Sequence, residues 1–167
     1  MTQVVFTTSM GDITIEVDHE NAPIGAENFV HYAMEGFYNG TIFHRIIQGF
    51  MVQGGGMLPG LEDKESGDPI ENEGDNGLKN VRGSLSYART MDPHSATTQF
   101  FMNLVDNDFL DHRSKTTQGW GYAVFGKIVE GLEVIDEMAK VKTTSRRGHQ
   151  DVPVDDILII STKVIEA

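Results

Sequence analysis

The sequence predicts a mainly β domain: a closed eight-stranded antiparallel barrel with two α-helices over its open ends. Three observations lead there. About eight segments carry strand patterning and only two carry helical spacing. The strands are not regularly interleaved with helices, which argues against a parallel βαβ sheet and for an antiparallel closed barrel. The length of 167 residues, 39% of them hydrophobic and 23% charged, suits one folded domain over 1–167 with a sizeable core.

Taken in order, residues 4–6 and 13–17 flank Ser9-Met10-Gly11-Asp12. Ile13, Ile15 and Val17 alternate with Thr14 and Glu16, the pattern of a half-buried hairpin. A helix starts near Pro23, an acceptable first-turn residue. Ala26, Phe29, Val30, Ala33 and Phe37 recur at helical spacing, and Gly36 is placed to end it. Strand signals follow at 41–46 and 50–53. Residues 56–79 are rich in Gly, Pro, Asn and acids, and a loop of that length is usually functional or mobile. Strands resume at 84–88, 99–104 and 122–128. A short amphipathic helix covers 132–141 through Leu132, Ile135, Met138 and Ala139. The last strand, 156–165, is nearly continuous in apolar residues. No internal repeat is present.

Composition excludes several classes. Lys plus Arg total 13 against 25 Asp plus Glu, a formal net charge of -12. A general nucleic-acid binder needs a basic face, so no nucleic-acid partner is expected. There are no cysteines, which removes thiol catalysis, disulfides and thiolate metal sites and fits a reducing compartment. No apolar run approaches a membrane span, and the start has neither a basic n-region nor a long apolar h-region. A cytoplasmic protein with no membrane association is the expectation, with monomer as the default state.

The stretch YNGTIFHRIIQGFMVQGG at 38–55 is the most informative. It sets one permanent cation, Arg45, among strand-forming apolar residues, with Phe50, Met51 and Gln53 close behind. Alternate residues of a strand share a face. Arg45 is thereby expected beside Phe43, Met51 beside Gln53, and Gln99 beside Phe101, with Phe100 and Met102 turned into the core. Each pair is unremarkable alone as core or edge residues; three strands of the same mixed character point to a site. No nucleophile or metal set stands in need of activation, which suits a reaction that breaks no covalent bond.

These residues resemble the signature of the cyclophilin-type peptidyl-prolyl cis-trans isomerases. The likeness continues through GSLSYAR at 83–89, TQFFMNL at 98–104, NDFLD at 107–111 and YAVFGKIVEGLEVID at 122–136. HRSKTTQGWGY at 112–122 is similar to the bacterial cytoplasmic branch. The resemblance implies a cyclophilin-like barrel of eight strands and two helices, no cofactor, and catalysis of rotation about X–Pro bonds in peptides and in unfolded or flexible proteins, assisting folding. It implies Arg45 as the catalytic residue and Phe50, Met51, Phe101 and Leu110 as the apolar pocket for the proline ring. Gln53 and Gln99 would bind substrate backbone or hold Arg45. Ala88, Arg89 and Thr90 would line the bound peptide, with Phe109 and Tyr122 completing the substrate site. Three positions depart from common family patterns. Arg89 stands where Asn is frequent, which would alter sequence preference more than turnover. Phe109 stands where many members have Trp, so weak cyclosporin binding is expected. Tyr122 replaces a His of the eukaryotic members. The alternatives are a non-catalytic proline-peptide-binding or chaperone module, and a metal-dependent hydrolase.

Other signals carry less. The six His residues form no HExxH-type spacing, so no metal site is expected. His44 reads as a satisfied core histidine. Gly54-Gly55-Gly56 lacks the Gly-Lys-Ser/Thr of a P-loop and instead permits close backbone approach. Glu71, Glu73 and Asp75 fail the EF-hand pattern and read as a solvated acidic loop. Ser84, Ser86 and Ser95 lack a nucleophile elbow. Arg146-Arg147 is too short for a nucleic-acid patch.

Overall fold

The computed structural model describes residues 1–166. Strict alternation builds its first hairpin. In β1 (Thr2–Thr8) and β2 (Gly11–Val17), Val4, Phe6, Ile13, Ile15 and Val17 all turn inward, with Val4 opposite Ile15 and Phe6 opposite Ile13. Helix α1 (Pro23–Glu35) follows, and Gly36 closes it at φ 76°, a left-handed conformation that glycine adopts without penalty. Its first turn has no side-chain cap of its own. The carboxylate of Glu73 serves instead, accepting from the N–H of Ile24 at 3.1 Å and of Gly25 at 2.7 Å. Glu73 is therefore half-buried helix-capping structure, while Glu71 and Asp75 are exposed as expected.

The chain continues through β3 (Arg45–Ile47), β4 (Met51–Gly54), β5 (Met57–Leu58), β6 (Glu62–Asp63), β7 (Ser84–Tyr87), β8 (Phe100–Asn103), β9 (Val124–Glu130), α2 (Leu132–Met138), β10 (Thr143–Arg146), β11 (His149–Pro153) and β12 (Ile159–Glu166). Eight strands form one antiparallel sheet in the order β12-β1-β2-β9-β7-β8-β4-β3. The expected strands are the members of this sheet. Two hairpins, β5–β6 and β10–β11, stand outside it. The segment 56–79 is thus not a free loop: it holds β5–β6, the bridge from Ile70 to Ala96, and the Glu73 cap.

The expected closure is corrected. Among the described residues no ladder joins the end strands β12 and β3, so the sheet is a curled half-barrel. Its ends are stitched one residue deep. Phe43 N–H donates to Ile157 O at 3.0 Å, and Ile159 N–H donates to Thr41 O at 2.8 Å. The expected strand over 41–46 is interrupted for the same reason: Ile42 bridges Met57 and Leu158, and regular pairing starts only at Arg45. Face alternation slips there. Phe43 enters the main core, 6.2 Å from Phe100 between ring centres, while Arg45 is exposed. The two do not share a face.

The core is aromatic. Phe6, Phe29, Tyr38, Phe43, Phe100 and Phe125 are fully buried, with Phe29 bringing α1 to within 4.9 Å of Phe125. Ile135 and Met138 of α2 seal another side. Among the described residues no helix is long and apolar enough to cross a membrane, and no group of three or more His, Cys, Asp or Glu is placed to hold a metal ion.

Candidate functional site

The sheet has a second apolar face. Phe100 and Met102 turn into the main core, as their spacing predicts, along with Val52. Their neighbours Met51 and Phe101 turn the other way and join Leu110 in a separate cluster, with Ile47, Phe50, Ala88 and Tyr122 packed against it. Antiparallel register sets this surface. Arg45 lies opposite Gln53, Gln53 opposite Phe101, and Phe101 opposite Ser86. Three adjacent strands thereby present a cation, an amide and an aromatic ring in a row.

A cavity of about 320 Å3 opens over this row, lined by Arg45, Phe50, Met51, Gln53, Ala88, Arg89, Phe101, Phe109, Leu110 and Tyr122. Ten of the twelve residues singled out from the sequence therefore meet around one cavity. Gln99 lies one layer behind. Its Oε1 accepts from Gln53 Nε2 at 3.1 Å, and Gln53 Oε1 accepts from Arg45 Nη1 at 3.3 Å. Gln99 is itself pressed against Gly56, where a Cβ would fit only if the Gln99 side chain moved. Gly54 lies against Phe43 and the Ile42 carbonyl, so the expected close backbone approach holds at Gly54, whereas Gly55 and Gly56 make room for side chains. Thr90 is the exception. It lies in an adjoining groove of about 430 Å3, lined also by Met91, Thr117, Gln118 and Gly121 and sharing Arg89, Phe109 and Tyr122 with the first cavity.

Ring contacts fix the walls. Phe101 meets Tyr122 edge-on at 5.6 Å, and Phe50 stacks on Phe109 at 5.7 Å. The Arg89 guanidinium lies 4.6 Å over the Tyr122 ring. Its Nε donates to Gly121 O at 3.0 Å and its Nη1 to Thr90 O at 2.9 Å.

Beneath the walls runs a layer of buried asparagines that sequence reasoning missed. Asn107 Nδ2 donates to Phe50 O at 3.1 Å and to Asn103 Oδ1 at 2.8 Å. Asn80 Nδ2 donates to Tyr122 O at 3.2 Å and to Asp111 Oδ1 at 3.1 Å. Asn72 Nδ2 donates to Pro93 O at 3.1 Å and Gly121 O at 3.2 Å. The available signal was four asparagines inside or beside turn-rich segments, where an amide can satisfy loop backbone.

His44 is buried beside Arg45, as expected, but it is not satisfied: its Nδ1 has no hydrogen-bond partner. Burial pushes its pKa down to about 4, helped by His149 and Arg45 and opposed by Asp63. No His, Asp, Glu or Cys lines the 320 Å3 cavity. The arrangement offers two guanidinium groups, Arg45 held by an amide and Arg89 laid on Tyr122, and an apolar recess. It can bind and polarise but has no acid–base pair.

Residues 3–164 match the family model described as cyclophilin type peptidyl-prolyl cis-trans isomerase/CLD. The chain is 53% identical over 163 residues to peptidyl-prolyl cis-trans isomerase B of Escherichia coli (strain K12), covering 98% of this chain and 99% of that protein. It is 53% identical over 165 residues to peptidyl-prolyl cis-trans isomerase cyp18 of Streptomyces antibioticus, covering 99% of each. Among solved structures it is similar to a Cryptosporidium parvum cyclophilin type peptidyl-prolyl cis-trans isomerase crystallised in the presence of the dipeptide Ala-Pro. That match has a TM-score of 0.83 and 27% identity, over 99% of each chain.

Proposed function

The chain belongs to the cyclophilin-type peptidyl-prolyl cis-trans isomerases, and from that premise we propose that Arg45 drives the isomerisation while the apolar recess holds the proline ring. The peptide C–N bond resists rotation by ~18–20 kcal/mol because of resonance. Midway through the rotation that resonance is lost and the prolyl nitrogen regains a localised lone pair. A donor aimed at that nitrogen stabilises the twisted state more than either planar one, and only such a difference accelerates the step. A guanidinium suits the role because it is permanently charged and planar.

The observation that carries this reading is the relay Gln99–Gln53–Arg45 at the mouth of an apolar cavity. Gln53 holds Nη1 of Arg45 and is held in turn by Gln99. The remaining donors of the guanidinium are left for substrate. Met51, Phe101 and Leu110 form the buried floor on which a pyrrolidine ring packs; Phe50, Phe109 and Tyr122 wall it in. Ala88 supplies backbone beside the bound chain, with Arg89 and Thr90 next to it. The ring is fixed and the acyl side rotates. No cofactor takes part.

The test is exchange between the cis and trans isomers of a short proline peptide, followed by NMR. Wild-type protein in catalytic amounts should speed exchange. Arg45→Ala should lower kcat/KM by about 100- to 1,000-fold, the usual loss for a transition-state donor, with an unchanged fold by circular dichroism. A folded Arg45→Ala that works at the wild-type rate sinks the electrostatic mechanism. Binding without any acceleration by wild type would favour a proline-peptide receptor instead.

The clients we assign are proline-containing segments of unfolded or flexible proteins, and the setting a reducing one, supported by the absence of cysteine. Monomer and cytoplasmic residence belong to the same proposal. So does weak cyclosporin binding, supported by Phe109, which is 61% exposed at the cavity rim.

A further inference from the structure

The cavity at the site does not end at Tyr122. It continues into the 430 Å3 groove, and Arg89 belongs to both. Between them the two cavities contain two guanidinium groups and no carboxylate. That is unusual in this chain, where acids outnumber Lys and Arg by 25 to 13. Arg82, Lys115, Lys127, Lys140 and Arg146 each pair with an acid. Arg45 and Arg89 are among the eight of the thirteen Lys and Arg that form no ion pair among the described residues; their partners are the Gln53 amide and backbone carbonyls. Asp92, close by in sequence, has Oδ1 turned to the His94 N–H at 2.9 Å. Arg89 is thus clamped by Nε and Nη1, laid flat on Tyr122, and left with Nη2 unbonded among the described residues. Beside it stand two exposed apolar side chains, Met91 at 78% and Phe109 at 61%.

We infer that the second groove receives an acidic residue flanking the X–Pro unit, its methylenes against Phe109 and Met91 and its carboxylate on Arg89, so that the enzyme prefers acid-flanked proline peptides. This rests on the isomerase reading of the adjoining cavity. The sign of the effect is diagnostic. The field of a molecule with net charge -12 favours basic peptides. A preference for Glu over Lys therefore has to arise locally, at Arg89. Clamping also lowers the entropy lost when the guanidinium engages a carboxylate.

The experiment uses Ala-Ala-Pro-Ala-Ala and variants in which each Ala in turn is Glu or Lys, with kcat/KM read by NMR exchange. At low salt, Glu at one flanking position should exceed Lys at that position by at least about fivefold, the factor for one charge pair near 4 Å in water. The ratio should shrink towards one in 1 M salt, where screening acts within about 3 Å. Arg89→Gln should bring it to one or below, whatever that change does to the overall rate. Gln118→Glu, which places a carboxylate in the same groove, should lower it in the same direction. A wild-type ratio at or below one for every position, or a ratio that survives Arg89→Gln, overturns the inference. In both cases acceleration of the all-Ala peptide leaves the isomerase reading standing. If even that peptide is not accelerated, the two fall together.

Discussion

Gly56 does not line the 320 Å3 cavity, yet on the proposed mechanism it should control turnover. A Cβ added there lies against Gln99 Cγ and 2.7 and 2.8 Å from its Nε2 and Cδ, closer than real Cβ atoms approach anything. In Gly56→Ala the Gln99 side chain has to swing away, which breaks the bond from Gln53 Nε2 to Gln99 Oε1. Gln53 then no longer holds Arg45 in one orientation. The first bond alone is worth about 1 kcal/mol, or about fivefold in rate; complete loss of the charge-assisted bond to Arg45 adds about 1.5–3 kcal/mol. The expected fall in kcat/KM lies between about fivefold, if only the first bond is lost, and about a thousandfold, if both are, with KM little changed. NMR exchange reads the rate, and thermal unfolding checks that the fold persists. The decisive measurement is the cycle with Gln99→Ala, which deletes the atoms that clash. In that background Gly56→Ala should cost nothing further, because both changes cut the same relay. A folded Gly56→Ala with wild-type turnover, or losses that simply add, would refute the relay.

Three further expectations concern pH and the cavity rim. The folded-state pKa of His44, about 4, lies below its ordinary 6.5, so the folded protein binds fewer protons between those values. The associated stability is fully present above about pH 6.5 and is lost as pH falls through 4, by at most about 3 kcal/mol. Denaturant melts at pH 7 and pH 4.5, with an NMR titration of the His44 ring, check this; a His44 that titrates near 6.5 in the folded state removes it. Activity should nonetheless stay flat from about pH 6 to 8, since no acid or imidazole lines the cavity. At the rim, Phe109→Trp should tighten cyclosporin binding up to about tenfold through a larger aromatic surface, read by calorimetry; unchanged affinity would show that residue 109 does not set it.

What was legible in the sequence was what hydrophobic period encodes. Alternation in 13–17 and the apolar runs at 50–53, 84–88 and 99–104 placed the sheet strands and, through parity, sent Phe100 and Met102 inward and Phe101 outward. What was not legible depended on register between distant segments. The slip at His44 arises because Ile42 pairs with Met57 and Leu158 before Arg45 pairs with Gln53; no local pattern marks it. The open seam between β3 and β12 has the same origin. The hairpins β5–β6 and β10–β11 escaped notice because β6 and most of β10 are exposed, so no buried face imprints a period on them. Family resemblance named the cavity residues, but not which of them touch: Gln99 sits behind Gln53 rather than in the cavity, and Thr90 opens onto a second groove.

The buried asparagines explain how so disconnected a site keeps its shape. Its walls come from strand ends, from the segment at 88–91, from the 3-10 turn Asp108–Leu110 and from Tyr122. None of these is long enough to be rigid alone. Asn107 ties the Phe50 carbonyl to Asn103 in the sheet, and Asn80 ties the Tyr122 carbonyl to Asp111. Asn80, Asn103 and Asn107 are almost fully buried, so a broken bond there leaves an amide unsatisfied at about 1–3 kcal/mol. Several such bonds in series favour one arrangement of the walls over all near alternatives. On the proposed mechanism the reaction has no proton to transfer and no bond to break, so this layer would serve it by keeping the recess in place beneath Arg45. Removing Asn107 should therefore act on turnover before it acts on binding, even though its side chain points away from the cavity towards the Phe50 carbonyl and the sheet.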